Sequence, residues 1–132
     1  MPDKAFFDTN ILVYAFSLRD RRRDAALSLL LQGGTVSVQA LNEFVNVFAG
    51  KMRASWPDTL TWLGAILEMC PPPIPVTLGI HQRGVRIAQE RGYHIYDSLM
   101  LAAALEAACT VFYSEDMRDG QTIDGMTIRN PF

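Results

Sequence analysis

The chain has 132 residues, a length that predicts one domain spanning residues 1–132. Apolar residues make up 49% of it and charged residues 20%, which excludes a disordered, collagen-like or low-complexity protein. The formal charge of −2 excludes a protein that holds nucleic acid by bulk positive charge, so such contacts would need local patches or metal.

Short apolar strands alternate with helical patterns along the first half of the chain. A buried strand is predicted at residues 5–7, and Thr9 is the expected N-cap of a helix over residues 11–17. Apolar residues that recur at three and four predict a helix from Leu41 to Met52. Asp58 is the expected N-cap of a helix over residues 60–69. Further predicted elements are a helix at residues 24–31, closed by Gly33 and Gly34, and a strand at residues 35–38.

The second half continues the alternation after a rigid proline connector, Pro71-Pro72-Pro73. Residues 80–91 form an amphipathic pattern with Val85 on the inward face, and residues 96–108 are apolar nearly all round, which predicts a buried central helix. Strands are predicted at residues 74–76 and 110–113 and, as the final edge strand, at residues 126–128. Together these elements predict a three-layer α/β/α sandwich around a mostly parallel sheet of four to five short strands.

The expected compartment is the cytoplasm. The N-terminus lacks the pattern of a signal peptide, and no stretch reaches the roughly 20 apolar residues that a membrane span needs. Cys70 and Cys109 lie in apolar stretches without metal-ligand spacing, so we expect buried, reduced thiols in preference to a disulfide.

Four acidic residues fall where a parallel α/β sheet gathers its functional groups. Asp8 and Asp116 follow predicted strands, and ligands bind at the carboxyl ends of such strands. Glu43 falls in the first turn of the helix that follows the second strand, so topology brings it to the same edge. Asp97 begins the buried central helix, where an isolated carboxylate is costly.

Each acid also has an ordinary structural explanation. Glu43 and Asp97 are favoured in first helical turns by the helix dipole, Asp8 suits a turn or a cap, and Asp116 suits a loop. Four carboxylates in one site, however, repel one another unless a cation neutralises them. Oxygen ligands of this kind suit Mg²⁺ or Mn²⁺, the ions that promote phosphodiester hydrolysis by activating a water molecule.

At these residues the sequence resembles the PIN-domain ribonucleases, and among them the VapC toxins of type II toxin–antitoxin modules. The resemblance spans the chain and rests on four ordered motifs, Asp8-Thr9-Asn10, Asn42-Glu43-Phe44, Tyr96-Asp97-Ser98 and Ser114-Glu115-Asp116. It implies a PIN-like fold and an endoribonuclease that depends on Mg²⁺ or Mn²⁺. It also implies an RNA substrate, a homodimer and an inhibitory VapB-like antitoxin.

The resemblance also assigns roles to individual residues. Asp8 and Asp97 match metal ligands, Asp116 matches the acid that completes the site, and Glu43 matches an acid that helps hold the metal or its water. Supporting roles fall to three polar residues, Thr9, Asn10 and Ser114. Glu115 and Asp119 also lie near the fourth position, and Asp116 is preferred because it follows Ser114 by two residues.

Two alternatives to a toxin remain open on the sequence. One is a PIN nuclease in RNA processing outside a toxin module. The other is a receiver-like regulatory module that binds Mg²⁺, which requires a lysine after a late strand, whereas the chain has only Lys4 and Lys51. The basic cluster of Arg19, Arg21, Arg22 and Arg23 is either a solvated loop or a patch that contacts phosphate or antitoxin.

Overall fold

The structure, a computed structural model, describes residues 3–70 and 72–132. Its elements are β1 (Ala5–Phe7), α1 (Thr9–Ala15), α2 (Arg23–Leu31), α3 (Val38–Val45), a π-helical turn (Asn46–Lys51), α4 (Trp56–Met69), α5 (Leu78–Arg91), α6 (Ile95–Glu106), β2 (Val111–Tyr113), β3 (Thr122–Ile123) and β4 (Met126–Arg129). The strands form one sheet in the order β1-β2-β4-β3, in which only β3 is antiparallel to its neighbour. The predicted three-layer α/β/α fold with a mostly parallel sheet is confirmed.

The register between β1 and β2 decides which polar residues meet at the edge of the sheet. Phe7 pairs with Tyr113 at the last position of both strands. Behind this pair, the rings of Phe6 and Phe112 stack with their centroids 5.1 Å apart and anchor the register in the core. Because parallel strands run in the same direction, Asp8 and Ser114 emerge side by side at the carboxyl edge of the sheet.

Two residues that were predicted as helix caps lie inside their helices. Helix α1 begins at Thr9 and is capped by Asp8, so the predicted cap at Thr9 is wrong. Helix α4 begins at Trp56 and is capped by Ser55, whose side chain accepts a hydrogen bond from the backbone of Asp58, so the predicted cap at Asp58 is wrong too. In α1 the first two residues, Thr9 and Asn10, are polar, and in α4 the residues between Trp56 and Leu60 interrupt the apolar pattern, so in both cases the regular pattern starts later than the helix.

The strands predicted at residues 35–38 and 74–76 are wrong as strands. Thr35 and Ser37 each make a single parallel bridge, to Phe6 and to Ile74. The chain cannot extend further because Ser37 accepts a hydrogen bond from the backbone N–H of Ala40 at 3.2 Å and so starts α3. Of the predicted proline connector, Pro71 lies outside the described residues.

The C-terminal part contains a hairpin that the sequence analysis missed. Strand β3 pairs antiparallel with β4, so β4 lies between β2 and β3 and the prediction of a final edge strand is wrong. The turn is formed by Asp124 and Gly125, with φ of 47° and 86°. An Asp-Gly pair with both φ angles positive is the preferred two-residue hairpin turn, so the signal was present in the sequence.

Burial was also predicted for helix α6, for one face of helix α5 and for the two cysteines. Helix α6 is buried along most of its length, as predicted. Val85 of α5 was expected to face inward but is 44% exposed, because Ile80, Gly84 and Ile87 form the buried face instead. Cys70 and Cys109 are both buried and free. Within the described ranges, no helix combines the length and the apolar character that crossing a bilayer requires.

Gly84 allows α5 and α6 to approach each other closely. A Cβ added there would lie 2.8 Å from Leu99 Cδ2 and 3.3 Å from the backbone N and Cα of Leu99. Leu99 is buried. Since a backbone cannot rotate out of the way like a side chain end, a methyl group at this position forces the two helices apart.

We therefore expect Gly84→Ala to lower the free energy of unfolding by about 1–2 kcal/mol, because overpacking outweighs the gain in helix propensity. Urea denaturation followed by circular dichroism measures the change. Gly64→Ala is the matched control, since no atom lies within 4 Å of an added Cβ in α4. That variant should gain about 0.5–1 kcal/mol. An equal gain for both variants would contradict the close packing of α5 on α6.

Candidate active site

The four predicted acids line one cavity at the carboxyl edge of the sheet. This cavity has a volume of about 260 Å³, and its walls include Asp8, Glu43, Asp97 and Asp116. Asp8 follows β1 and Asp116 follows β2, whereas Glu43 comes from α3 and Asp97 from the first turn of α6. Residues separated by up to 108 positions in the chain therefore face the same small volume, as the sequence predicted.

Asp8 is held in place by a dense set of donors. Its Oδ1 accepts a hydrogen bond from the backbone N–H of Thr9 at 2.6 Å, and its Oδ2 accepts one from the Ser114 hydroxyl at 2.6 Å. The side-chain amide of Asn10 lies 3.4 Å from the same Oδ2. Asp8 caps α1 and also faces the cavity, so the structural and the functional explanations of this residue both hold geometrically.

Asn10 and Ser114 connect Asp8 to Asp116. The amide Nδ2 of Asn10 donates to Asp116 Oδ2 at 3.1 Å, and its Oδ1 accepts from the backbone N–H of Glu115 at 3.3 Å. The Ser114 hydroxyl accepts a hydrogen bond from the backbone N–H of Asp116 at 3.1 Å while it donates to Asp8. These two side chains therefore fix the spacing between the carboxylates that follow β1 and β2.

Glu43 lies deeper in its helix than predicted. The cap of α3 is Ser37, which places Glu43 in the second turn and leaves the first turn without an acidic residue. The prediction of a first-turn position is therefore wrong, and stabilisation by the helix dipole does not explain this acid. Its Oε2 lies 3.4 Å from the amide of Gln39 and 3.5 Å from the Thr9 hydroxyl, on the side that faces Asp8.

Asp97 lies in the first turn of α6, as predicted. The cap of that helix is His94, whose Nδ1 accepts a hydrogen bond from the backbone N–H of Tyr96 at 3.1 Å. His94 therefore has a structural role as the cap of α6. Its proximity lowers the pKa of both Asp97 and Glu43, which partly opposes the effect of burial.

Burial and mutual repulsion make the ionised form of these acids costly. Burial, with smaller contributions from the charges of Asp97 and Glu43, raises the pKa of Asp8 to about 7. The pKa values of Glu43 and Asp97 are also raised, again chiefly by burial, with a contribution from Asp97 at Glu43 and from Asp116 at Asp97. The site therefore favours any ligand that supplies positive charge to the cavity.

Glu115 faces away from the cavity and is occupied by other partners. It accepts hydrogen bonds from the Tyr14 hydroxyl and, with both oxygens, from Arg22 Nη1 at 2.9 Å. Arg22 also pairs with Asp20 at 2.8 Å and lies 3.7 Å above the Tyr14 ring. These four residues form a brace between the α1–α2 connection and the loop after β2. Within the basic cluster, Arg22 therefore serves a structural role.

Asp119 is also engaged elsewhere. Its Oδ1 accepts a hydrogen bond from the backbone N–H of Asn130 at 2.8 Å, and it is not among the residues that line the cavity. Of the three acids that the sequence places near the fourth position, only Asp116 reaches the cavity. The two-residue spacing from Ser114 selects the same residue.

The donor set of the cavity suits a hard divalent cation. The lining acids offer carboxylate oxygens, and neither histidine nor cysteine is among the described lining residues. As placed, no three His, Cys, Asp or Glu side chains in residues 3–70 and 72–132 form a group that could hold an ion. The backbone brings the acids to one cavity, but side chains that repel one another have to move inward to form a ligand sphere.

Three polar lining residues were missed in the sequence analysis, namely Tyr14, Asn46 and Lys51. Asn46 and Lys51 follow Glu43 by three and eight residues, a spacing that keeps side chains near one face of a helix. Helical spacing from Glu43 would therefore have identified them. A second, larger cavity of about 650 Å³ shares Val13 and Tyr14 with the first and is lined mainly by apolar side chains.

Comparison with known proteins identifies relatives of this arrangement. Residues 5–119 match the family model of the PIN domain. A chain of a toxin–antitoxin complex from Klebsiella pneumoniae is 26% identical over 98% of both chains, with a TM-score of 0.72. VapC20 of Mycobacterium tuberculosis, described as a toxin that cleaves the sarcin–ricin loop, is 16% identical over 86% of this chain and 92% of its own, with a TM-score of 0.69. No curated protein matches the chain.

A third solved structure has the same fold. The VapBC2 complex of Rickettsia felis, bound to a DNA fragment from its promoter, contains a chain that is 16% identical over 96% of this chain and 97% of its own, with a TM-score of 0.65. The likeness at 16% identity establishes the fold alone. The family match to most of the chain confirms the resemblance on which the four motifs were assigned.

The raised pKa of Asp8 predicts how stability depends on pH in the absence of metal. Since the pKa is about 7 in the folded state and 3.8 as the ordinary value, the folded state binds the proton more tightly. Asp8 therefore lowers stability progressively as pH rises from the ordinary value towards 7. We expect Asp8→Asn to remove this loss, with a gain on the order of 1 kcal/mol over wild type at about pH 8.

Urea denaturation in EDTA at about pH 5 and about pH 8 measures this difference. The advantage of Asp8→Asn should grow with pH, because the carboxylate is ionised in the wild-type folded state only at the higher value. If Asp8 were only a helix cap, the two proteins would differ little at either pH, since Asn caps a helix about as well as Asp.

Proposed function

We propose that this chain, which belongs to the PIN domain family, is a metal-dependent endoribonuclease and the toxin of a toxin–antitoxin pair. The observation that carries the proposal is the convergence of Asp8, Glu43, Asp97 and Asp116 on one cavity. The match to the toxin–antitoxin complex of Klebsiella pneumoniae over nearly the full length of both chains supports the biological role. We assign the whole chain, residues 1–132, to a single domain.

The four acids would hold Mg²⁺ or Mn²⁺. Asp8 and Asp97 act as ligands, Asp116 completes the site, and Glu43 holds the ion or a water molecule beside it. When bound, the ion polarises the phosphodiester and lowers the pKa of a water molecule. The raised pKa values of Asp8, Glu43 and Asp97 support this assignment, because a cation relieves the cost of keeping buried, adjacent carboxylates ionised.

The supporting residues orient the acids. Ser114 donates to Oδ2 of Asp8, and Asn10 donates to Oδ2 of Asp116. Thr9 lies between Asp8 and Glu43, with its hydroxyl 3.5 Å from Glu43 Oε2. Such outer partners restrict the carboxylates to a few rotamers, and their loss typically reduces activity about 10–100-fold.

RNA is the substrate that we propose, since the VapC20 relative is described as cleaving an RNA loop. The cavity is open to solvent on the side of Asp116, which is exposed, whereas Asp8 forms its buried floor. A backbone phosphate that enters from this side meets the acids without any need for a base pocket. The proposed location is the cytoplasm, where RNA is available and the two free cysteines stay reduced.

An antitoxin would act on the same region. The larger apolar cavity beside the acids suits an apolar segment of a protein partner, and its walls include Phe16, Phe48 and Trp62. A basic side chain of that partner, most suitably arginine, would then reach the neighbouring carboxylates and pair with them. Such a partner blocks both the entry of RNA and the binding of metal.

The test of the proposed function is cleavage of a panel of cellular RNAs by the purified protein. We expect cleavage with Mg²⁺ or Mn²⁺ and none in EDTA, because the uncompensated carboxylates repel phosphate. Asp8→Asn and Asp116→Asn should each lower the rate by about a hundredfold or more, since each removes a negative charge that would hold the metal ion.

Asp119→Asn is the matched control for these variants. It removes the same carboxylate from the same loop region but outside the cavity, and its cleavage rate should stay within about threefold of wild type. Full cleavage in EDTA by protein free of contaminating nuclease would exclude the metal mechanism. Equal losses for Asp116→Asn and Asp119→Asn would exclude the assignment of the fourth acid.

The partner and the oligomeric state are tested together. Trp56 and Leu60 of α4 are 60% and 61% exposed, which supports a homodimer that covers this helix. Light scattering should give a dimer mass for the chain alone and a larger complex after co-expression with the product of an adjacent small reading frame. That complex should not cleave RNA. A monomer mass for the chain alone would exclude the homodimer. The absence of an adjacent small reading frame would favour the alternative function, a nuclease of RNA processing outside a toxin module.

A further inference from the structure

The catalytic cavity contains one cationic side chain that the proposed metal chemistry does not use. Lys51 lines the cavity together with the four acids, and it is the only Lys, Arg or His among the described residues in that lining. Its side chain is exposed. In the described part of the chain, its Nζ forms neither an ion pair nor a hydrogen bond. A cation beside four carboxylates thus remains available to a ligand.

The backbone around Lys51 explains its position. Helix α3 does not continue beyond Val45 but widens into the π-helical turn Asn46–Lys51, in which the N–H of Met52 bonds to the carbonyl of Val47 at 2.8 Å. Such turns are rare and frequently occur at functional sites. The turn places Asn46 and Lys51 in the cavity wall, on the same segment that carries Glu43 one to two turns earlier.

The other basic residues near the cavity are not available in the same way. Arg22 is paired with Asp20 and Glu115, and Arg19 lines the larger apolar cavity instead. A phosphodiester that approaches four carboxylates is repelled until metal is bound, and even then its non-bridging oxygens need a donor. A lysine ammonium is a compact cation with three donors and binds phosphate as a point charge.

We propose that Lys51 binds a backbone phosphate of the RNA and positions it over the acidic cavity. This inference rests on the proposed function for the identity of the ligand, but it concerns binding and not the chemical step. It assigns recognition of the RNA backbone to the π-helical turn, independently of base sequence.

The test measures binding of a fluorescein-labelled single-stranded RNA of mixed sequence and about 12 nucleotides, by anisotropy at several KCl concentrations. The parent protein carries Asp8→Asn so that the RNA stays intact, and Mg²⁺ is present. We expect Lys51→Met to weaken binding by about tenfold, the usual size of the loss of a hydrogen bond to a charged group. The slope of log Kd against log salt should fall by about 0.7, as expected for one lost phosphate contact on a single strand.

Two further variants separate this role from a general charge or folding effect. Lys51→Arg should restore binding to within about threefold, because it keeps the cation. Arg86→Met removes one exposed charge at a separate cavity on α5 and should leave both the affinity and the salt slope unchanged. In the otherwise wild-type protein, Lys51→Met should raise KM by about tenfold and leave kcat within about threefold.

The outcomes distinguish the inference from the function on which it rests. If the wild type cleaves RNA and Lys51→Met binds with the parent's affinity and salt slope, the inference is overturned and the proposed function stands. If the wild type cleaves no RNA in the panel but Lys51→Met still loses affinity and salt slope, the inference stands and the proposed function is overturned. An equal loss in Arg86→Met overturns the inference as well, because the effect is then one of net charge.

Discussion

The hydrogen bond between Ser114 and Asp8 is the interaction on which the arrangement of the site depends. Asp8 is 3% exposed, and an unpaired carboxylate at that depth would be strongly unfavourable. The Ser114 hydroxyl and the N–H of Thr9, both at 2.6 Å, make burial tolerable without removing the carboxylate's tendency to take up a proton or a cation. The Ser114 donor follows from the register of β1 against β2, because Phe7 opposite Tyr113 puts the next residues of the two strands side by side. The Thr9 donor follows from the start of α1 directly after Asp8.

The sequence was sufficient to predict strands β1 and β2, the buried central helix and the four acids of the cavity, because each depends on a local pattern. Apolar runs identified β1 and β2, and the polar residues directly after them had to share one edge. The sequence was less informative where a single side chain decides between two structures. Ser37 turns an apparent strand into the start of α3, and Asp8 takes the capping role expected for Thr9. These choices depend on which side chain accepts the backbone N–H groups of the first helical turn, not on hydrophobic periodicity.

The cavity residues that the sequence analysis missed were not identifiable from hydrophobic periodicity. Lys51 and Asn46 belong to a turn whose π-helical geometry is not encoded in an apolar pattern, so only their spacing from Glu43 connects them to the cavity. The sequence placed Glu43 in the first turn of its helix, whereas it lies in the second. This difference favours a functional explanation of Glu43 over stabilisation by the helix dipole. An acid in the second turn gains little from the helix dipole, so its half-buried place beside Thr9 needs another reason, which the proposed cation would provide.

The fold keeps the Glu115 carboxylate out of the cavity that the other four acids line. Glu115 lies next to Asp116 in the chain, and its charge in the cavity would add to the repulsion among the four lining acids. The brace with Tyr14 and Arg22 turns it outward, lowers its pKa through those contacts and ties the loop after β2 to the α1–α2 connection. The Asp116 side chain accepts a hydrogen bond from the Asn10 amide and faces the cavity. The same loop therefore supplies one carboxylate that braces the fold and one that faces the cavity, and the partner of each side chain, not its position in the sequence, decides which is which.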